Sequence, residues 1–481
     1  MNIRRSVRLI GLLLLVMAAA MSTSLIWAFI DHDSQSVNSF LYSIIITTVC
    51  GLIMILIGYK QHSDIYVKEA LIVTAFGWIF VGVFGALPYM FQGTFRYFPS
   101  AFFETISGFT TTGSTAIVVV EEQSRAILYW RSLTQWLGGM GIIVLFIAIL
   151  PRLGVGAKHL FKSEVPGPIT GSFRPKLKET SLILWKIYVG FTVAEIITLW
   201  LLGMSFYDAI NHSFTTMSTG GFSTITASIG GFKSPAIDYA ICFFMFAAGV
   251  NFYLYYLIAK GEAKSFFKDA EFRAYSIIMA VATILLTLGI ISIHHDVLVA
   301  FRKSLFQVIS IATTTGYGTD NSDAYPAYGR LILITLMFIG GSAGSTAGGV
   351  KVSRFVVILK IIRAELFKAV HPNAVIAIKM GDNAIPDTIA KSIAGFFALF
   401  ILTFAVGSLF MTALGLDIIT GFSAVIATLA NIGPGLGKVG SLEHYAHIPE
   451  IGKIFLSFCM ILGRLELLTV MALMLPSFWK K

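Results

Sequence analysis

The sequence predicts an all-α integral membrane protein with ten spans, in which an N-terminal helical hairpin precedes four helix–loop–helix repeats. Three observations lead to this prediction. The 481-residue chain is 56% hydrophobic and only 12% charged, about half the charge of a soluble protein. Apolar runs recur at the ~20-residue length that crosses a ~30 Å hydrocarbon core. Shorter segments rich in Thr, Ser and Gly lie between them.

The predicted hairpin occupies residues 1–65. Apolar runs at 9–30 and 40–59 flank a polar turn at 31–38. The first run is longer than the ~7–15-residue core of a signal peptide. Because a second apolar run follows directly, we expect both to be retained as membrane helices.

Basic residues indicate how the chain is oriented. Three arginines precede the first apolar run, and most other basic residues fall into three clusters. The arginines are Arg4, Arg5 and Arg8, and the clusters are 158–178, 260–273 and 351–379. The positive-inside rule places such segments in the cytoplasm. The net charge of +10 is therefore explained by membrane topology, and nucleic acid is not an expected partner.

One plan occurs four times after residue 65: a long apolar run, a short Thr/Ser/Phe-rich segment that ends in glycine, and a second run with small residues. The predicted repeats are 66–160, 161–265, 266–375 and 376–481. The first runs lie near 70–91, 181–204, 274–293 and 389–414. The short segments are 100–113, 207–220, 302–316 and 418–433. The last runs lie near 126–150, 236–260, 331–363 and 454–475. Ten spans place both termini in the cytoplasm.

The short segments are too short to span, which predicts re-entrant elements. Irregular backbone at membrane depth is tolerated only where it is buried in protein or lines a water-filled cavity. Four such segments in one chain therefore indicate a shared cavity.

The segments end in related motifs. These are Thr111-Thr112-Gly113, Ser218-Thr219-Gly220, Thr314-Thr315-Gly316 and Asn431-Ile432-Gly433. The third continues as Tyr317-Gly318, so Thr315 to Gly318 resembles the filters of potassium channels, whose carbonyls replace the hydration shell of the ion. Glycine permits the positive φ that turns successive carbonyls to one side, and a short helix before it would aim its negative end at the cation.

The last run of the third repeat contains Gly340, Gly341, Gly344, Gly348 and Gly349. Each glycine costs a helix about 1 kcal/mol relative to alanine. This predicts an unwound or mobile stretch at membrane depth that few hydrogen bonds hold. The alternative is a helix whose small residues form a tightly packed seam.

Arg464 lies within the last run of the fourth repeat, where a charge costs at least ~2.5 kcal/mol. Glu466 is the nearest carboxylate in sequence, but residues two apart do not face each other on a helix. We therefore expect Arg464 to point toward the pore axis and the carbonyls of the glycine stretch. The alternative is a structural ion pair with Glu104 or Glu195.

With these motifs the chain resembles, from end to end, the membrane subunit of the Trk/Ktr superfamily of potassium transporters, and its hairpin resembles the TrkH branch. The resemblance implies four helix–pore loop–helix repeats around a pseudo-fourfold ion pore. It also implies potassium uptake across the bacterial inner membrane, with the carbonyls of the twelve motif residues above as the filter. It implies gating by the glycine stretch and Arg464, a homodimer in membrane lipid, and a cytoplasmic TrkA-type ring of nucleotide-binding subunits. Potassium is then the transported ion, and no cofactor is expected.

Two other functions are compatible with parts of the sequence. An ion-coupled symporter would use broken helices in inverted repeats, whereas these four repeats share one orientation; coupling to H⁺ or Na⁺ stays open. A magnesium-dependent membrane enzyme would use paired acids such as Asp320 and Asp323. Their position after the third motif instead favours an acidic vestibule that attracts cations.

Overall fold

The computed structural model describes residues 3–58, 67–141, 177–381, 383–465 and 467–479. These residues are mostly helical, which confirms the predicted fold class. The strands within the described ranges are β1 (Lys379–Met380) and β2 (Asn383–Ala384), which pair as a small antiparallel hairpin. The N-terminal hairpin consists of α1 (Ile3–Ile30) and α2 (Ser34–Ile57). The side chain of Asp33 caps α2 by accepting from the N–H groups of Gln35 and Ser36.

The remaining helices follow the predicted plan of long helix, short helix, loop and second helix. The first repeat has α3 (Val67–Gly85), α4 (Leu87–Gln92), α5 (Phe98–Phe109) and α6 (Arg125–Gly139). The second has α7 (Leu177–Leu201), α8 (Phe206–Met217), α9 (Pro235–Ala248) and α10 (Phe252–Ala259), followed by the connecting helix α11 (Ala263–Lys268). The third has α12 (Ala270–His294), α13 (Val297–Ala312), α14 (Ala327–Ile339) and α15 (Val352–Val370). The fourth has α16 (Asp387–Ala413), α17 (Ile418–Leu429), α18 (Glu450–Arg464), α19 (Leu467–Met474) and α20 (Pro476–Trp479).

Within the described ranges, six helical stretches are long and apolar enough to cross a membrane, so the protein is a multi-pass membrane protein. They are Ile3–Ile30, Ser34–Ile57, Lys68–Gln92, Leu182–Leu201, Ala270–His294 and Asp387–Ala413. They comprise both hairpin helices and the first long helix of every repeat.

The sequence indicated a break in the third of the four last runs, and the structure shows helix ends or bends in the other three as well. The helix α6 ends at Gly139, α9 and α10 meet at an angle of 92°, and α18 ends at Arg464. Part of the first last run, at 142–150, lies outside the described residues. The physical reason is close packing: a Cβ atom on Gly138 would lie 1.9 Å from the Phe109 carbonyl oxygen, and one on Gly463 would lie 2.0 Å from that of Leu429.

The four repeats form a closed ring. The second helix of each repeat packs against the short helix of the next: α6 on α8, α9 on α13, α14 on α17, and α18 back on α5. The short helices are the most deeply buried elements, and most side chains of α5, α8 and α17 are inaccessible to solvent. The loops that follow these helices therefore meet at the centre.

Candidate functional site

The four short helices end in the same way. Each stops at a helical cap residue, and the next residue takes a left-handed conformation although it carries a side chain. These residues are Thr111 (φ 56°), Thr219 (φ 54°), Thr314 (φ 59°) and Asn431 (φ 55°). The C-terminal ends of the helices, which carry partial negative charge, therefore lead directly into the loops.

Backbone hydrogen bonds align the loops residue by residue. In each loop the residue after the left-handed one donates its N–H over 2.8 Å to a carbonyl five residues earlier. The pairs are Thr112 to Ser107, Gly220 to Thr215, Thr315 to Ser310 and Ile432 to Ala427. A glycine with positive φ follows in every loop: Gly113 (84°), Gly221 (76°), Gly316 (82°) and Gly433 (99°).

This alignment corrects the sequence-based register of the second loop. The sequence placed Ser218-Thr219-Gly220 opposite Thr111-Thr112-Gly113, but Ser218 is the cap of α8 and Thr219, Gly220 and Gly221 are the structural equivalents. The expectation that Gly220 needs a positive φ was wrong. Two adjacent glycines make the motif ambiguous in sequence, and only the backbone conformation shows which one makes the turn.

The glycines also close the ring between repeats. A Cβ atom on Gly113 would lie 2.1 Å from the Gly220 carbonyl oxygen, and one on Gly221 would lie 1.9 Å from that of Thr315. A Cβ atom on Gly316 would lie 2.0 Å from the Ile432 carbonyl oxygen, and one on Gly433 would lie 2.6 Å from that of Thr112. Every loop thus abuts the backbone of the next one, and no side chain fits at these four positions.

Gln135 was missed by the sequence analysis. Its side chain is fully buried on α6, donates to the Gly220 carbonyl (2.7 Å) and accepts from the Phe222 N–H (3.1 Å). At the position of Gly220 the other three loops have a residue with a side chain, and here the Gln135 side chain occupies that space. A Cβ atom on Gly220 would be 2.3 Å from the Gln135 Cδ. The available signal in the sequence was a glutamine within a predicted apolar run, since an amide that is buried there needs polar partners.

Tyr317, the tyrosine of the Gly-Tyr-Gly motif, ties the third loop to the second repeat. Its hydroxyl lies 2.5 Å from the Thr215 hydroxyl and donates to the His212 carbonyl (3.1 Å), both on α8. Its own carbonyl accepts from the Ser310 hydroxyl (2.7 Å). In the fourth loop the Gly433 carbonyl accepts from Tyr445 (2.7 Å) and Ser114 (3.0 Å). The loops are therefore fixed by their surroundings.

A vestibule opens on one side of the ring. We call the four loop glycines with positive φ (Gly113, Gly221, Gly316 and Gly433) the turn glycines. They line the vestibule together with Arg131, Glu443 and His444. Arg131 forms a buried ion pair with Glu104 (2.7 Å), whose carboxylate also accepts from Thr115 (2.9 Å). Glu104 is therefore committed to Arg131 and is not the partner of Arg464.

The two aspartates expected to make this vestibule acidic have other contacts. Asp320 pairs with His294 (2.8 Å), and Asp323 accepts from the Gly437 N–H (2.8 Å). In the described part of the chain, neither belongs to the vestibule lining. Each therefore ties outer loops together, and Glu443 is the lining carboxylate.

The glycine stretch unwinds as predicted. The helix α14 ends at Ile339 and α15 begins at Val352, with positive φ at Gly340, Gly344 and Gly349. We call residues 340–351 the glycine loop. It lies directly against the ring: the Gly348 N–H donates to the Thr314 hydroxyl (2.6 Å), and a Cβ on Gly348 would be 2.3 Å from the Ala430 carbonyl oxygen.

The expectation that few hydrogen bonds hold this loop was wrong. Ser342 donates its N–H to the Gly249 carbonyl (3.0 Å), at the break between α9 and α10. The Thr346 hydroxyl lies within reach of the Met217 (3.1 Å) and Ala248 (3.2 Å) carbonyls. The other breaks and helix ends thus provide the acceptors that an unwound segment needs.

Arg464 points at the glycine loop, as the sequence predicted. Its guanidinium donates to the carbonyls of Gly138 (2.6 Å), Gly139 (3.0 Å) and Thr346 (3.1 Å) and contacts the Thr111 hydroxyl (3.3 Å). Glu466 lies outside the described residues. Glu195 is fully buried, and neither of its carboxylate oxygens has a hydrogen-bond partner among the described residues.

Comparisons with known proteins agree over the whole chain. A family model for TrkH cation transport proteins matches residues 32–481. The potassium uptake protein TrkH of Salmonella typhimurium is 38% identical over 486 residues, covering 100% of both chains. TrkI of Halomonas elongata is 31% identical, covering 98% of this chain and 96% of that one.

A solved structure shares the fold. The crystal structure of the potassium transporter TrkH from Vibrio parahaemolyticus superposes with a TM-score of 0.90 at 36% identity, covering 100% of both chains. The ring of four loops therefore occurs within an architecture that a known potassium transporter has in full.

Proposed function

Because the chain belongs to the TrkH family of cation transport proteins, we propose that it takes up potassium through the ring of four loops. The observation that carries this proposal is ring closure: each turn glycine abuts a backbone carbonyl of the next repeat. The proposed filter consists of the backbone carbonyls of twelve residues, with the second loop in its corrected register. They are Thr111, Thr112, Gly113, Thr219, Gly220, Gly221, Thr314, Thr315, Gly316, Asn431, Ile432 and Gly433.

Such a ring suits a monovalent cation that has lost its water. Backbone carbonyls replace the hydration shell, and four helix C-termini add negative potential at the same point. The side chains around the loops satisfy their remaining polar groups, so the loops keep their shape when water leaves. Gln135 does this by accepting from the Phe222 N–H, and Ser310 does it by donating to the Tyr317 carbonyl.

The proposed gate is the glycine loop with Arg464, on the side of the ring opposite the vestibule. Its main glycines are Gly340, Gly341, Gly344, Gly348 and Gly349. A guanidinium beside the Thr346 carbonyl places a positive charge next to the path that leaves the ring. At partly screened protein dielectric, two unit charges 4 Å apart repel by about 4 kcal/mol. The loop and the charge together would oppose cation passage until both move.

The rest of the proposal follows the family. The protein would act in the bacterial inner membrane as a homodimer, with both termini in the cytoplasm and a TrkA-type nucleotide-binding ring as regulator. The name "Trk system" carried by the relatives is consistent with such a cooperating subunit. The proposed domains are the hairpin at 1–65 and pore repeats at 66–160, 161–265, 266–375 and 376–481.

Purified protein in potassium-loaded liposomes tests this function. We expect rubidium uptake that external potassium competes strongly and sodium weakly, without a requirement for a pH gradient. Equal competition by sodium would contradict a selective ring. Uptake that occurs only with an imposed proton or sodium gradient would instead establish a coupled symporter.

A further inference from the structure

We infer that Glu271 is a positioning residue that latches the glycine loop beneath the ring, and that release of this latch is a step in opening. The inference rests on the proposed role of the loop as the gate. It concerns a carboxylate outside both the ring and the loop, which neither the filter nor Arg464 requires.

One oxygen of Glu271 holds the glycine loop and the helix after it. Glu271 lies in the first turn of α12 and is 8% exposed. Its Oε1 accepts from the Ala343 N–H (2.8 Å) and from the Ser353 N–H (3.0 Å). Ala343 belongs to the loop, and Ser353 lies in the first turn of α15. The loop and α15 therefore cannot separate from α12 without breaking these bonds.

A carboxylate is needed here because α15 lacks its own N-terminal cap. The cap position is Lys351, at φ 82°, and a lysine side chain has no acceptor atom. The first N–H groups of a helix have no partner within the helix, and their partial positive charge favours an anion. Glu271 supplies the acceptor from a different helix, so the cap of α15 forms only while the loop is in this position.

The latch also connects the loop to an accessible part of the chain. Glu271 follows α11, in which Phe267 is 67% exposed, and Asp269 caps α12 by accepting from the Phe272 N–H (2.7 Å). The other contacts of the loop go to Thr314, Ala430, Arg464 and the breaks of neighbouring repeats. A displacement of α11 would therefore draw Glu271 away from Ala343 and Ser353 and release the loop, without acting on the ring directly.

Two substitutions separate the acceptor from its charge. Glu271→Ala removes both hydrogen bonds, whereas Glu271→Gln keeps an acceptor oxygen but loses the charge that strengthens them. We expect Glu271→Ala to raise rubidium flux without regulator by about tenfold, the change produced by about 1.4 kcal/mol, and Glu271→Gln to raise it less. Potassium preference over sodium should not change in either variant. Glu262→Gln, an exposed carboxylate in the same segment, is the matched control and should leave the flux unchanged.

A folded Glu271→Ala protein with unchanged or lower resting flux would overturn the latch. If that variant does not fold, the Gln variant decides, and wild-type resting flux in it would overturn the latch equally. Thr346→Val distinguishes this failure from failure of the gate itself, because it breaks loop contacts that do not involve Glu271. Raised flux in Thr346→Val alone would refute the latch and keep the gate, whereas unchanged flux in both variants would refute both.

Discussion

The ring and the glycine loop are both glycine-rich and both use positive φ, yet their glycines serve different ends. In the ring one contact is repeated four times, between a turn glycine and the carbonyl of the next repeat. In the glycine loop the contacts are of several kinds, among them a hydroxyl from Thr314, a carbonyl from Gly249 and a carboxylate from Glu271. The ring is thus a steric closure without room for change. The loop is held by separate hydrogen bonds that can be exchanged.

The largest effect should come from adding a side chain to the ring. We predict that Gly221→Ala loses at least about tenfold in potassium-over-sodium preference, since a methyl group cannot coexist with the Thr315 carbonyl and a tenfold change needs only about 1.4 kcal/mol. The same holds for Gly113, Gly316 and Gly433. This preference is measured by how strongly external sodium, compared with potassium, inhibits rubidium uptake. Wild-type ion ratios in all four variants would refute the shared filter.

Shortening the glycine loop should affect flux and spare selectivity. Deleting residues 344–347 removes Thr346 and its bonds to Met217 and Ala248. We expect resting flux to rise about tenfold or more, as loss of a few net hydrogen bonds of about 1 kcal/mol each implies, and to stop responding to the regulator. A folded, shortened protein that stays shut and still opens on nucleotide addition would place the gate elsewhere.

Replacing Arg464 is a smaller perturbation, because it changes a single side chain. Arg464→Ala should raise resting flux several-fold, because it removes a positive charge beside the Thr346 carbonyl. Arg464→Lys keeps the charge and is the matched control, in which resting flux should stay low. If both variants behave alike, geometry rather than charge is responsible.

The corrected register of the second loop makes a further distinction. Gly220→Ala alone should weaken potassium preference moderately, because the new Cβ would meet the Gln135 side chain at 2.3 Å. Adding Gln135→Ala should recover much of the loss, since the equivalent loops accommodate Thr112, Thr315 and Ile432. The same second substitution should not rescue Gly221→Ala, whose obstacle is backbone. If Gln135→Ala rescued both glycine variants, the result would support the sequence-based register, in which Gly220 is equivalent to Gly113.

The smallest effect concerns the outer end of a short helix. Asp417 caps α17 by accepting from the Thr420 N–H (3.1 Å), and this bond lowers the pKa of Asp417. A lowered carboxylate pKa means that the stabilisation is present at neutral pH and fades as acid protonates the group. Asp417→Ala should cost about 1 kcal/mol of stability, seen as a lower melting temperature in detergent. Asp417→Ser should keep the cap but lose this acid dependence.

The amino-acid sequence was enough to predict the membrane class, the four-repeat plan and the glycine-rich break, because these depend on the length and composition of local runs. It also predicted that Arg464 faces the glycine loop, since a charge in lipid must find polar backbone. Which glycine of Gly220-Gly221 makes the turn was decided only by tertiary structure, because adjacent glycines have equal conformational freedom until a neighbouring carbonyl excludes one arrangement.

The partners of the buried charges were likewise decided in three dimensions. Sequence offered Glu104 as a partner for Arg464, but the packing of α5 against α6 within the first repeat brings Glu104 to Arg131 instead. The dense bonding of the glycine loop was also invisible, because its acceptors come from α8, α12 and helix breaks far away in sequence. Local composition shows that a segment can unwind. Only the packing of other repeats around it shows what then holds it.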